Sequence, residues 1–377
     1  MESNIINPMV IYILITLLLI LIIIKTFRKI IPPDKIYIIP EGKKIKTVSS
    51  GIWISPFAGK LSELDLSVSN ITLIIRNVYT KGAIPVDLKV ISLIKITSNP
   101  EYIKNAAERF SDSDKDEILR VAKDTLEGRI RELIFEFTAQ EVNENKLNFA
   151  DKVINETLND MNSLGFKIET LKIISIWDTV KHLNQIYNCN FNLSFNNEIN
   201  KKFSEKYNKS SSLLCKCKPD EILIITGLYK EKITDREINY RIVNSGTTIR
   251  KPLFEDIYKL NISNIPVSLT LKNIFSKGGV FLDLEITGNI KIAKEGAPLH
   301  NAVENLLSKS KDEIKEIAQN IIEGNIVGTI SLLTFKEAEE NIYEFTRKIL
   351  NKTDEDFHKT GLYIDNIQIN DIKKTLI

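Results

Sequence analysis

What most constrains this chain is that it repeats itself. Short segments recur at a constant offset of 196 residues, with no gap from Pro56 onward. Asn105-Ala106-Ala107-Glu108 returns as Asn301-Ala302-Val303-Glu304, and Lys115-Asp116-Glu117-Ile118 returns as Lys311-Asp312-Glu313-Ile314. Glu127-Gly128-Arg129-Ile130 returns as Glu323-Gly324-Asn325-Ile326, Thr80-Lys81-Gly82 as Ser276-Lys277-Gly278, and Gly165 as Gly361. A period this long excludes a solenoid and reads as one domain present twice. The 377 residues are ample for two such domains.

Each copy divides into a strand-like half and a helical half. Val86, Leu88, Val90, Ser92, Ile94 and Ile96 alternate with Asp87, Lys89, Ile91, Leu93 and Lys95, the period of two of a strand. Lys81-Gly82 and Lys277-Gly278-Gly279 supply tight turns ahead of such strands. Residues 113–135 and 138–164 lack proline and carry apolar residues three and four apart, as helices do. Thr138 with Glu141, and Thr334 with Glu337, form capping boxes, and Gly165 and Gly361 fall where a helix ends. A strand-like run follows each glycine. The fold class is therefore α+β: a strand-rich half, then helices, then a closing strand. The expected division is an anchor at 1–31, a first domain at 32–178, a polar linker at 179–218 with one short helix, and a second domain at 219–377.

Met9 to Ile24 reads MVIYILITLLLILIII. Counted with Ile5 and Ile6 the apolar stretch reaches 20 residues, about 30 Å as a helix, which matches the hydrocarbon core of a bilayer. Positive charge follows the run at Lys25, Arg28 and Lys29 instead of preceding it, and no small-residue cleavage site appears, so a retained anchor is expected over a signal peptide. Ile5, Met9, Leu14, Leu18 and Ile24 are the expected membrane-spanning residues. The basic flank places residues from about 25 onward on the cytoplasmic side of the cell membrane in a single pass. A shallow hairpin is the geometric alternative.

With these elements in place, the chain resembles the flotillin-like branch of the SPFH/band 7/prohibitin superfamily. The family pattern runs Ala-Ala-x-x-Phe, Leu-Glu-Gly-x-Leu-Arg, Thr-x-Glu-x-Ile and a closing strand. Here these read Ala106-Ala107-Glu108-Arg109-Phe110, Leu126-Glu127-Gly128-Arg129-Ile130-Arg131, Thr138-Ala139-Gln140-Glu141-Val142 and the strand after Gly165. The second copy diverges more, with Val327 where the first has Arg131, but Cys217 to Gly227 resembles the family's opening strand. The resemblance implies an N-terminal transmembrane helix followed by two tandem SPFH domains, with no catalytic residues to carry over. It also implies a lipid bilayer as partner, homo-oligomers, and other membrane proteins as clients. Flotillins usually continue into a long coiled coil; no sustained heptads follow the second copy, so cage assembly is not expected from this chain.

Chemistry is sparse. A net charge of +2 offers no field for nucleic acid, and no phosphate-binding glycine loop or HExxH occurs. No catalytic residue, cofactor or metal is therefore expected. The sharper alternative joins His182, Cys189, Cys215 and Cys217 into a zinc site, but a Cys-x-Cys spacing strains a tetrahedral ion, and reduced cytosolic thiols are the plainer reading. Glu127 and Glu323 recur at matched positions and are read as structural. Trp53 and Phe57 are candidate membrane-interface residues, with a place in the first sheet's core as the alternative. The matching segment, 248–253, reads polar, which would put the second domain further from the bilayer. The expected function is a non-enzymatic scaffold that organises membrane microdomains. A regulator of a membrane protease or transporter is the alternative, and a metal-dependent enzyme the third reading.

Overall fold

The computed structural model describes residues 8–41, 44–49, 51–53, 61–178, 207–233 and 236–375. It opens with helix α1 (Pro8–Phe27). The first unit follows as strands β1 (Arg28–Lys29), β2 (Lys35–Glu41), β3 (Lys44–Val48), β4 (Ile52–Trp53), β5 (Ser62–Asp65), β6 (Ser69–Tyr79) and β7 (Pro85–Ile96). Helices α2 (Ile103–Phe110), α3 (Lys115–Leu133), α4 (Ala139–Glu144) and α5 (Lys146–Leu164) come next, and β8 (Phe166–Asp178) closes the unit. The second unit repeats the plan with β9 (Lys209–Ser210), β10 (Leu214–Lys216), β11 (Glu221–Ile233), β12 (Arg236–Val243), β13 (Thr247–Ile249), β14 (Asp256–Asn261), β15 (Ile265–Phe275) and β16 (Phe281–Ile292). Its helices are α6 (Gly296–Leu306), α7 (Lys311–Ile330), α8 (Phe335–Glu340) and α9 (Ile342–Thr360), and β17 (Leu362–Lys374) ends it.

The two units agree down to single residues. Strands β6-β7-β8 and β15-β16-β17 form matching antiparallel sheets, with Ile71 opposite Ser92 in one and Val267 opposite Gly288 in the other. Both hairpins carry a bulge at an asparagine with positive φ, Asn77 at 52° and Asn273 at 57°. Each asparagine donates its backbone N–H to an aspartate across the hairpin, Asp87 or Asp283, at 2.8 Å. A short polar residue tolerates this left-handed conformation where most cannot. The expected capping boxes form at Thr138–Glu141 and Thr334–Glu337, and a third closes Ser310–Glu313. Gly165 (φ 82°) and Gly361 (φ 95°) end the long helices in the left-handed region. A Cβ on either would lie 2.5 Å from the Cβ of Ala106 or Ala302, so glycine is required twice over, by conformation and by the close approach of α2 or α6.

The expected membrane-spanning helix needs correction. A helix does form over Pro8–Phe27, 20 residues long, but no helix among the described residues is long and apolar enough to cross a membrane. The shortfall is one of apolar length. The described helix runs from Pro8 to Phe27, and Lys25 interrupts its apolar run near the end. The uninterrupted stretch from Met9 to Ile24 spans about 24 Å at 1.5 Å per residue, against a hydrocarbon core of about 30 Å. Ile5 and Ile6, which completed the count in the sequence, lie outside the described residues. The fold is α+β in both units, preceded by an apolar helix that does not meet the requirement for a single-pass span.

The strand-rich halves form smaller sheets, β3-β2-β5 in the first unit and β12-β11-β14-β9 in the second. One hydrophobic core fills the first unit around Leu73, Leu88, Leu126, Phe149 and Phe166. The core of the second surrounds Ile222, Leu284, Ile322 and Phe357, and it takes in Val68 and Leu93 from the first unit.

Candidate functional site

Two features depart from an ordinary closed globule: the base of the apolar helix and the joint between the units. Helix α1 exposes Met9, Leu14 and Leu18 along with nearly every other side chain, and Ile24 is half-buried at its foot. Its two threonine hydroxyls bond back to the helix, while Tyr12 is 71% exposed. The Thr16 hydroxyl donates to the carbonyls of Tyr12 (3.0 Å) and Ile13 (2.9 Å), and Thr26 to that of Ile22 (2.8 Å). The threonines thus add no unsatisfied hydroxyl to the apolar surface. The chain leaves α1 directly into a two-stranded ribbon, β1 with β4, in which Arg28 lies opposite Trp53. Trp53 is 61% exposed at the foot of the helix. The ribbon is fixed by stacking: the Arg28 guanidinium sits 4.8 Å over the Phe254 ring of the second unit, and Lys29 sits 4.0 Å over Tyr37. Ile5 and Phe57 lie outside the described residues.

The joint between the units is buried and charged. The outer face of β7 and β8 meets α6, α7 and α9 of the second unit. Lys172 is 2.7 Å from Asp356 and donates to Asn325 at 2.8 Å; Asn325 in turn donates to Asp356 at 3.0 Å. Burial works against the Asp356 carboxylate, yet the Lys172 charge and these hydrogen bonds outweigh it and hold its pKa below the usual carboxylate range. Lys95 is ringed by Glu169 (3.4 Å), Glu304 (3.5 Å) and the Asn305 amide oxygen (2.9 Å). Close approach is made possible by Gly324: a Cβ there would lie 2.5 Å from the Cβ of Lys172. Nearer the ribbons, Tyr207 of the second unit donates to both carboxylate oxygens of Asp34 at 3.0 Å, and Asn239 donates to Ser49 at 2.6 Å. Burial pushes Asp34 up to about 6.

Nothing in the alternation along β7 or β8 singles out Lys95 or Lys172 as joint residues. The available signal was apolar Ile91 and Leu93 in the same alternating set as Lys95, where the second copy has Thr287 and Asn289.

Among the described residues no group of three or more His, Cys, Asp and Glu is placed to hold a metal. Cys215 and Cys217 are buried free thiols, and burial pushes the Cys217 pKa up, away from reactivity. His182 and Cys189 fall outside the described residues. His300 contacts the Tyr240 hydroxyl at 3.0 Å, and His358 lies 3.5 Å from Asp354 on the surface of α9. Glu127 pairs with Arg131 at 2.8 Å along α3, and burial raises Glu323 above the usual carboxylate range.

Matching sheets, bulges, caps and terminal glycines in two copies define a duplicated α+β domain, and a comparison with known families names it. The model of the SPFH domain / Band 7 family matches residues 29–179 and again residues 216–375. The chain belongs to the SPFH/band 7 family. It carries the domain twice in tandem and falls with flotillin-like proteins. It is 28% identical over 159 residues to Flotillin-like protein FloT of Bacillus subtilis, covering 41% of this chain and 31% of that protein. It is 22% identical over 136 residues to human Flotillin-1, covering 36% of this chain and 32% of that protein. The match thus spans about a third of the length of each of these relatives.

Proposed function

We propose that this tandem SPFH protein is a non-enzymatic, membrane-associated scaffold that gathers partner proteins and further copies of itself at a lipid surface. One observation carries the reading. A 20-residue helix, apolar on all sides and exposed, runs straight into a ribbon bearing an exposed tryptophan. A helix apolar all round has to be covered, and aromatic side chains such as Trp53 favour the level of the lipid headgroups. Embedding α1 in the apolar part of the bilayer without crossing it provides the cover, with Trp53 at the interface. Kinship with flotillin-like proteins supports the same reading, as does the packing of the two SPFH units into one body that can hold partners at a fixed distance from the membrane.

Flotation tests this. Full-length protein mixed with phosphatidylcholine vesicles is expected to rise with them in a density gradient and to stay bound in 1 M salt, because the contact is apolar. Protein left at the bottom of the gradient would contradict the proposal.

A further inference from the structure

We infer that the second unit carries its own lipid-contacting surface, the ribbon β10-β13, and that this surface selects anionic headgroups. The inference rests on the membrane reading above and extends it to a part of the molecule that the sequence places away from the bilayer. Ribbon β10-β13 is the counterpart of ribbon β1-β4: Leu214 lies opposite Ile249 as Arg28 lies opposite Trp53. Ile249 follows Trp53 by the repeat offset of 196 residues. The two matched side chains are equally exposed, Trp53 at 61% and Ile249 at 62%.

The ribbon has two faces. Cys215 and Thr248 turn inward, Cys215 packing with Leu223, Ile225 and Ile257. Leu214 and Ile249 turn outward, and Leu213 extends the apolar patch. The backbone of Arg250 donates to the Leu213 carbonyl at 2.8 Å and closes the ribbon's end, so the patch is built rather than frayed. Its rim is basic. Lys216, Lys218 and Lys251 are exposed near it against one exposed carboxylate, Asp220, while Glu255 and Asp256 are engaged by Arg241 (4.0 Å) and Lys209 (2.7 Å). Apolar residues ringed by lysines suit the interface of a negatively charged bilayer. The position agrees: Phe254, five residues beyond Ile249, is the ring on which Arg28 of the first ribbon stacks. The backbone at Gly51 likewise runs against Gly227, with a Cβ on Gly51 falling 3.2 Å from the Gly227 carbonyl oxygen. The two ribbons therefore sit side by side.

The test uses the full chain bound to vesicles of brominated phosphatidylcholine and phosphatidylglycerol. One variant, W177F, reports on Trp53. A second, W53F/W177F/I249W, reports on the second ribbon. Bromine quenching is expected at both positions, and K216E/K218E/K251E is expected to abolish it at 249 while leaving it at 53. Quenching at 53 with none at 249 overturns the inference and leaves the membrane reading standing. Quenching at 249 that survives the charge reversal overturns the selectivity for anionic lipid. No quenching at either position overturns both.

Discussion

The outer faces of the two three-stranded sheets occupy the same place in the repeat and have opposite fates. In the first unit Ile91, Leu93, Lys95, Thr170 and Lys172 are buried beneath the second unit. In the second unit their counterparts are Thr287, Asn289, Lys291, Asn366 and Gln368, and the face lies open. It is finished as a surface: Asn289 donates to Asn366 at 3.2 Å, Thr287 to Asn370 at 3.3 Å, and Lys291 pairs with Asp365 at 2.5 Å. The helices differ in the complementary sense. Asn325, Val327 and Gly328 of α7 are buried in the joint or the core, whereas α3 has Arg129, Arg131 and Glu132 there, tied to Asp160 and Glu127. Duplication thus produced one sheet that needs a helix over it and one helix that supplies it, and polar residues closed the other two surfaces. A single fold was retained while its neighbours were redefined by about ten side chains.

That comparison can be broken by mutation. The largest effect is expected at the matched aspartates. Asp356→Ala leaves Lys172 charged and buried without its partner, a loss of about 3–5 kcal/mol. Asp160→Ala removes a half-exposed partner of Arg129 and should barely change stability. Urea denaturation of both variants checks this, and equal losses would mean that the joint is not buried in solution. A smaller effect of opposite sign is expected at the matched glycines. Gly324→Ala drives a methyl into Lys172 and should cost about 1–3 kcal/mol. Gly128→Ala, where nothing lies within 4 Å of the added Cβ, should gain up to about 1 kcal/mol from helix propensity. Thermal melts that shift in the same direction for both would contradict the asymmetry.

Much of this was legible in the sequence because local rules write it. The 196-residue offset is read by aligning the chain with itself, and the boxes at Thr138 and Thr334 and the glycines after the long helices depend on neighbours a few residues away. The joint did not show itself, because alternation along β7 tells which residues share a face and not what covers that face. Lys95 looks solvent-exposed until Glu169 and Glu304 arrive from 74 and 209 residues further along the chain. The same limit hid the exposed apolar patch of the second unit: residues 248–253 read as polar, and only the pairing of Ile249 with Leu214 assembles an apolar tip. The single-pass span failed for a different reason. Hydropathy counted Ile5 and Ile6, which lie outside the described residues, into an apolar run; the described helix Pro8–Phe27 carries Lys25 near its end and is not long and apolar enough to cross.

The covering of the first sheet by the second unit is tested most directly by thiol labelling at matched positions. Thr170 is 4% exposed and its counterpart Asn366 is open to solvent. Maleimide should modify the thiol introduced by Thr170→Cys at least roughly tenfold more slowly than the one introduced by Asn366→Cys, as expected for a site reached only when the joint opens. Equal rates would show that the two units do not pack face to helix and would contradict the account.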